Sequence, residues 1–288
     1  MADFENAYAK VNLFLEIVRK REDGYHDIGT LFQTIGLCDR LEGESREDGE
    51  IVFECDRPAT ERPEQDLVHK AAVALRERAG NRRLGATLRL EKRLPSGAGL
   101  GGGSADAAAA LRLLNRVWNL GLPASELEKV GASLGADVPF LVRGGTALAE
   151  GIGDRLEAAP PPPECALLVV TPEASVPTAK AYAGVRPAGA QRWEDFKALW
   201  RKGNLSPRMV GHLLHNGFEP GVFGQWPEIA ECAAELRETG ALGVLLSGSG
   251  ASVFALYPTE DEARKALSGL ASPRRFEGVT RFVSARTL

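Results

Sequence analysis

Eleven consecutive residues, Pro95, Ser96, Gly97, Ala98, Gly99, Leu100, Gly101, Gly102, Gly103, Ser104 and Ala105, include five glycines. Backbone free of side chains lets several N–H groups turn toward one anion, and a helix starting where the glycines end adds the positive end of its dipole. Ala107, Leu111, Leu114 and Trp118 follow at helical spacing, so a helix is expected from Ser104 onward. A polyphosphate suits this chemistry. Two related devices fit less well. Gly97-x-Gly99-x-x-Gly102 has the spacing of a dinucleotide fingerprint, but no strand ending in an acidic residue follows about 20 positions on. A Walker A loop needs Lys-Ser or Lys-Thr after its last glycine, where this chain has Ser104-Ala105. A flexible linker would not run straight into an amphipathic, alanine-rich helix.

The elements around the loop set what else can reach it. Val11, Leu13, Leu15 and Ile17 alternate with Lys10, Asn12, Phe14 and Glu16, the rhythm of a strand, which puts Lys10 and Asn12 on one face. An Asp23-Gly24 turn signal then exposes Tyr25 and His26 in a loop. Residues 66–79 have helical composition, and 86–94 alternate as a strand leading into the glycines. Asp106, in the first turn of the following helix, is expected to complement its dipole, and Ser104 to serve as its N-cap or as a ligand contact. A second helix is expected from an N-cap at Ser125 to Leu134, stopped by Gly135. Asp137 then lies just past a helix C-terminus, with Pro139 holding Val138 extended.

Residues 166–170 read as a strand, 229–238 as a helix, and 244–257 as strand, glycine turn and strand. The run Pro160 to Pro163 cannot continue a helix or a central strand, and it divides the chain into expected domains 1–159 and 160–288. His212 and His215 have a spacing compatible with metal ligands on a helix. No third ligand is evident nearby, so they read as a solvated helix face.

Bulk properties narrow the function further. The 288 residues carry a formal net charge of −4 with scattered arginines, which gives no footprint for nucleic acid. Cys38, Cys55, Cys165 and Cys232 are far apart and form no CxxC pair, as expected of reduced thiols in the cytoplasm. No apolar run approaches the roughly 18 residues of a membrane span, and residues 1–6 lack a signal pattern, so neither membrane nor export is expected.

The segment LPSGAGLGGGSADAAAAL resembles the ATP-binding motif of the GHMP kinases, and AYAKVNLFLEI and GVLLSGSGASVFALY agree with that family in order, covering nearly the whole chain. The resemblance implies an α+β fold of two domains, the first like ribosomal protein S5 domain 2 and the second ferredoxin-like, with the active site in the cleft between them. It implies ATP and Mg2+ as cofactors, with no protein ligand of the metal fixed by sequence. It maps the catalytic pair onto Lys10 and Asp137, and ATP phosphates onto residues 95–105. The implied substrate is a small cytidyl diphosphate polyol, held by Tyr25, His26 and Tyr182 around the base and by Asn12 at the polyol hydroxyls. Gly248 and Ser249, with Ser247 and Gly250, form a turn that either presents hydroxyls to substrate phosphates or is a plain hairpin. A mevalonate, phosphomevalonate or homoserine kinase and a non-catalytic nucleotide-binding relative are the alternatives. A monomer or weak homodimer is expected. Asp66-Leu67-Val68 departs from the Asn-Leu-Val common in the family, which changes a donor-and-acceptor side chain to acceptor only.

Overall fold

Gly24, at φ 87°, turns the first strand of the chain back on itself. The result is a long antiparallel hairpin of β1 (Asp3–Lys20) and β2 (His26–Arg46). There follow β3 (Ile51–Cys55), α1 (Leu67–Ala79), β4 (Gly85–Glu91), α2 (Gly102–Val117), α3 (Ala124–Ala132), α4 (Val138–Arg143), β5 (Thr146–Glu150) and β6 (Arg155–Ala158). The remainder runs β7 (Ala166–Pro172), α5 (Thr178–Ala183), α6 (Gln191–Arg201), α7 (Pro207–Leu213), β8 (His215–Asn216), α8 (Glu219–Gln225), α9 (Pro227–Glu238), β9 (Gly243–Leu246), β10 (Val253–Tyr257), α10 (Glu260–Gly269) and β11 (Arg274–Arg281). The computed structural model describes residues 2–285.

Two sheets organise these elements. The larger has the order β3-β4-β2-β1-β8, with β5 paired to β2 and β6 to β5. The smaller has the order β11-β7-β10-β9 and is antiparallel throughout. Its strands, numbered along the chain, lie 4-1-3-2, the ferredoxin-like arrangement. α1 and α2 pack Leu75, Leu111 and Leu114 on one face of the larger sheet. α9 and α10 cover one face of the smaller sheet with Ile229, Leu236 and Ala263. The opposite faces meet in a third core that gathers Val11 and Leu13 with Leu167, Val169 and Phe254, and to which α6 adds Trp193, Phe196 and Trp200.

β1 is therefore buried on both faces. Lys10, Asn12, Phe14 and Glu16 are 5%, 1%, 2% and 2% exposed. The strict two-residue alternation also breaks, because a register shift between Asn12 and Phe14 inserts an extra residue into β1. In consequence Leu15, not Phe14, joins Lys10 and Asn12 at the functional cavity.

Several local expectations are corrected. α2 begins at Gly102 with Gly101 as its N-cap, so Ser104 is inside the helix and not the cap. α3 begins at Ala124 after Pro123, so Ser125 lies within it. Asp137 is the N-cap of the short helix α4; Val138 is its first residue, and Pro139 occupies the N2 position, where its missing N–H costs nothing. The helix terminus nearest Asp137 in α4 is thus the positive one. His215 sits on β8, pairs with β1 and places Nε2 3.0 Å from Glu16 Oε2, so the pair with His212 is not a solvated helix face.

Asp106 does not serve the helix dipole from the surface. It is 3% exposed and accepts a 2.7 Å bond from Lys92 Nζ, which also donates to Asp39 at 2.5 Å. Burial pushes the Asp106 carboxyl up to about 8, against the pull of Lys92. A protonated carboxyl also tolerates the buried Oδ1, which has no partner, at less cost than a carboxylate. Because the folded value lies above the ordinary 3.8, the native state binds more protons, and this stability is lost as pH rises through about 8. The neutral Asp106→Asn variant should therefore gain melting temperature relative to the unsubstituted protein as pH is raised from about 5 to about 9. A constant difference across thermal melts in that range would contradict the assignment.

Candidate active site

The glycine loop is held from two sides by direct backbone contacts. Lys10 N donates to Leu100 O at 3.0 Å, which fixes the loop to β1. Ser252 N donates to Ala98 O at 3.0 Å and Ser247 Oγ to Gly99 O at 2.9 Å, which fix it to the turn between β9 and β10. Gly97, Gly99 and Gly101 have φ of 62°, 78° and 71°, left-handed conformations of the kind from which anion-binding backbone nests are built. At Gly99 a Cβ would lie 2.0 Å from the carbonyl oxygen of Ser247, so only glycine permits this approach. Ala98, Leu100 and Ala105 are packed inward at 2%, 1% and 1% exposure and anchor the loop beneath.

Around the loop lies a cavity of about 370 Å³. It gathers Lys10, Asn12, Gly97, Gly99, Gly101, Ser104, Asp137, Tyr182, Gly248 and Ser249 of the expected residues, contributed by both sheets. Of the rest of the loop, Pro95, Ser96, Gly102 and Gly103 are not among its lining residues.

Lys10 is nearly buried, and its Nζ lies 3.5 Å from Asp137 Oδ2, although the two residues are 127 apart in the chain (137 minus 10). Its direction is fixed by neighbours. Lys10 Nζ donates to Asn12 Oδ1 at 2.9 Å, Asn12 Nδ2 donates to Thr30 Oγ1 at 2.7 Å, and Thr30 Oγ1 donates to Phe14 O at 2.6 Å. The Phe32 ring lies 5.3 Å from the ammonium. Both ends of the Asn12 amide are engaged, so Asn12 orients Lys10 while lining the cavity.

Tyr182 stands at the other side. Its ring stacks on His26 with centroids 4.9 Å apart at 21°, and meets Phe218 edge-on at 4.8 Å. Burial, and secondarily the charge of Asp137, push the Tyr182 hydroxyl up to about 12, so it remains a donor at neutral pH. Burial and the neighbouring Lys20 hold His26 below its ordinary value, which leaves its imidazole neutral. Tyr25 is 61% exposed and is not among the cavity-lining residues. Asp66 caps α1, with Oδ1 accepting from Val68 N at 2.8 Å.

Three contributors escaped the sequence reading. Asn216 is 2% exposed and donates to both Leu246 O and Gly248 O at 2.8 Å, so it shapes the β9–β10 turn from outside it. Thr178, the first residue of α5, lies in the cavity with its hydroxyl 3.3 Å from that of Ser249. The Asp39–Lys92–Asp106 group lies behind the loop. Asn216 stands between His215 and Gly217 with no local mark of its burial, and its partners are more than 25 positions away.

The cavity thus combines a glycine loop opening a helix with a lysine–aspartate pair beside it. Residues 66–145 match the model of the GHMP kinases N terminal domain and residues 198–273 that of the GHMP kinases C terminal. The chain belongs to the GHMP kinases and is an ATP-dependent small-molecule kinase. Within that family it is similar to 4-diphosphocytidyl-2-C-methyl-D-erythritol kinases. That of Pelotomaculum thermopropionicum is 42% identical over 262 residues, 90% of each chain. That of Bordetella parapertussis is 42% identical over 277 residues, 95% of this chain and 88% of its own. The crystal structure of a 4-(cytidine 5'-diphospho)-2C-methyl-D-erythritol kinase superposes with a TM-score of 0.79 at 35% identity, covering 97% of this chain and 99% of that one. Homoserine kinase from Cytophaga hutchinsonii, 19% identical, shares the fold at a TM-score of 0.73, covering 98% of this chain and 95% of its own.

Because the Gly99 backbone touches that of Ser247, Gly99→Ala must push the loop and the β9–β10 turn apart. Catalytic efficiency toward ATP should fall by about 100-fold, as expected for a displacement of about 1 Å at a reacting centre. Steady-state kinetics at varied ATP check this, and an unchanged efficiency would show that the contact is dispensable.

Proposed function

We propose that this kinase transfers the terminal phosphoryl group of ATP to the 2-hydroxyl of 4-diphosphocytidyl-2-C-methyl-D-erythritol, a step in non-mevalonate isoprenoid precursor synthesis. The observation that carries the reading is the Lys10–Asp137 pair at 3.5 Å, set in the same cavity as the glycine loop and Tyr182. The names and 42% identity of its relatives support the choice of substrate over the mevalonate and homoserine types.

Phosphoryl transfer depends on positioning and on neutralising charge more than on covalent help from the protein. In this reading the amides of residues 97–103 hold the triphosphate. Asp137 orients the acceptor hydroxyl and takes its proton as the oxygen–phosphorus bond forms and ADP leaves. Lys10, held by Asn12, neutralises Asp137 and the charge developing on the transferred group.

Among the described residues no group of three or more His, Cys, Asp or Glu is placed to hold a metal. That fits magnesium, which usually binds through substrate phosphates and one or two protein oxygens. Ser104 and Asp137 are the cavity's hydroxyl and carboxylate near the loop and would hold it; bound there, it would neutralise phosphate charge.

The cytidine base is assigned to the His26–Tyr182 stack, with exposed Tyr25 at its margin, since base–aromatic stacking contributes about 1–3 kcal/mol. Ser249 and Gly248 are assigned to the substrate diphosphate. We assign the chain to the cytoplasm, as a monomer or weak homodimer of units 1–159 and 160–288; none of its described helices is long and apolar enough to cross a membrane.

ADP release is expected with the cytidyl diphosphate polyol and magnesium, and not with mevalonate, phosphomevalonate or homoserine. Turnover with one of the latter alone would replace the substrate assignment, and ATP binding without any turnover would favour a regulatory relative. Asp137→Asn should lower kcat by about 100- to 10,000-fold with the fold retained by circular dichroism. Near-normal kcat would remove Asp137 from its role.

A further inference from the structure

The chain leaves the larger sheet after Glu91, enters the glycine loop after Leu94 and re-enters regular structure at Gly102, and one buried group of ionisable side chains joins the two ends of the loop. Asp39, on β2, is fully buried. Its Oδ1 accepts from the backbone N–H of Arg93 at 2.5 Å and of Leu94 at 2.7 Å, the last residues before the loop. Its Oδ2 accepts from Lys92 Nζ, whose second bond goes to Asp106 Oδ2 in the first turns of α2. Lys92 is 6% exposed, and its ammonium lies 3.6 Å from where a Cβ on Gly102 would stand.

Removing three ionisable groups from water is costly, and apolar packing of similar volume would often be as stable. Such a group has therefore to be explained by what it positions. None of the three lines the cavity, so their effect on ATP runs through the backbone.

We propose that Asp39, Lys92 and Asp106 form a buried clamp that fixes the separation between the two ends of the glycine loop, with Asp106 as a positioning residue for the ATP phosphates. The inference rests on the reading of that loop as the ATP cradle. Asp39 holds the entry segment through the amides of Arg93 and Leu94, Asp106 rides on the exit helix, and Lys92 ties one to the other. The clamp acts on the nucleotide and not on the acceptor: the loop amides belong to the segment it closes, whereas Lys10 and Asp137 are placed by β1 and α4.

Asp106→Ala cuts only the link to α2, because Lys92 keeps Asp39 as partner. Asp106→Asn leaves an acceptor for Lys92. Steady-state kinetics with both substrates varied are to be combined with calorimetric binding of magnesium-ATP to the folded proteins. For Asp106→Ala, KM and Kd for ATP should rise by about tenfold or more, with kcat and the KM of the acceptor within about threefold. For Asp106→Asn all values should remain within about threefold of the unsubstituted enzyme. A merely structural role would lower thermal stability in Asp106→Ala without moving ATP affinity, and that result overturns the clamp. A tenfold loss of ATP affinity in Asp106→Asn also overturns it, even if Asp106→Ala fails to fold. Failure of the kinase reading appears separately, as absence of ADP release by the unsubstituted protein, and leaves the binding comparison intact.

Discussion

Direct contact between three stretches of backbone governs this structure. The glycine loop touches β1 through Leu100 and the β9–β10 turn through Ala98 and Gly99, so both sheets meet at the segment we propose as the polyphosphate cradle. A Cβ at Gly99 would break the second contact, and one at Gly101 would press to 3.1 Å on the Lys10 side chain. The glycines thus serve packing between the two halves as much as access for an anion. These contacts hold the middle of the loop against β1 and the serine turn, which is the preorganisation that phosphoryl transfer requires.

Support for the proposed catalytic pair is layered outward from that contact. Lys10 is aimed by Asn12, Asn12 by Thr30, and Thr30 by the carbonyl of Phe14, a chain of bonds closed within the β1–β2 hairpin. Asp137 is brought opposite by α4, whose C-terminal end is tied to β1: Arg112 donates to Leu141 O at 2.6 Å and to Asn6 O at 3.3 Å. One arginine therefore holds the element bearing the carboxylate against the strand bearing the ammonium. A half-buried tie of this kind maintains a distance of 3.5 Å that two free side chains would lose to rotamer freedom.

What sequence reveals here divides by range. The strand at Lys10, the loop-to-helix order and the hairpin at residues 244–257 rest on local periodicity and glycine placement, and the structure retains them with shifted ends. The shared face of Lys10 and Asn12 was legible because it spans two residues. The bulge beyond Asn12 was not, since nothing in the apolar pattern marks an inserted residue when both faces of a strand are buried. α4 was missed because Pro139 reads as a barrier to helix, yet in the first turn proline is accommodated. The pairing of Lys10 with Asp137 entered by family resemblance, because residues 127 positions apart meet only through the fold (137 minus 10). Asp39, Lys92 and Asp106 carry no signature at all: each looks like a surface charge until the third dimension buries them together.

The most direct measurement is a crystal structure with a non-hydrolysable ATP analogue and the cytidyl diphosphate polyol bound together. The account predicts the triphosphate against the amides of residues 97–103 and the acceptor oxygen within about 2.6–3.2 Å of the Asp137 carboxylate. A triphosphate lodged away from that segment, or an acceptor oxygen out of reach of Asp137, would contradict it.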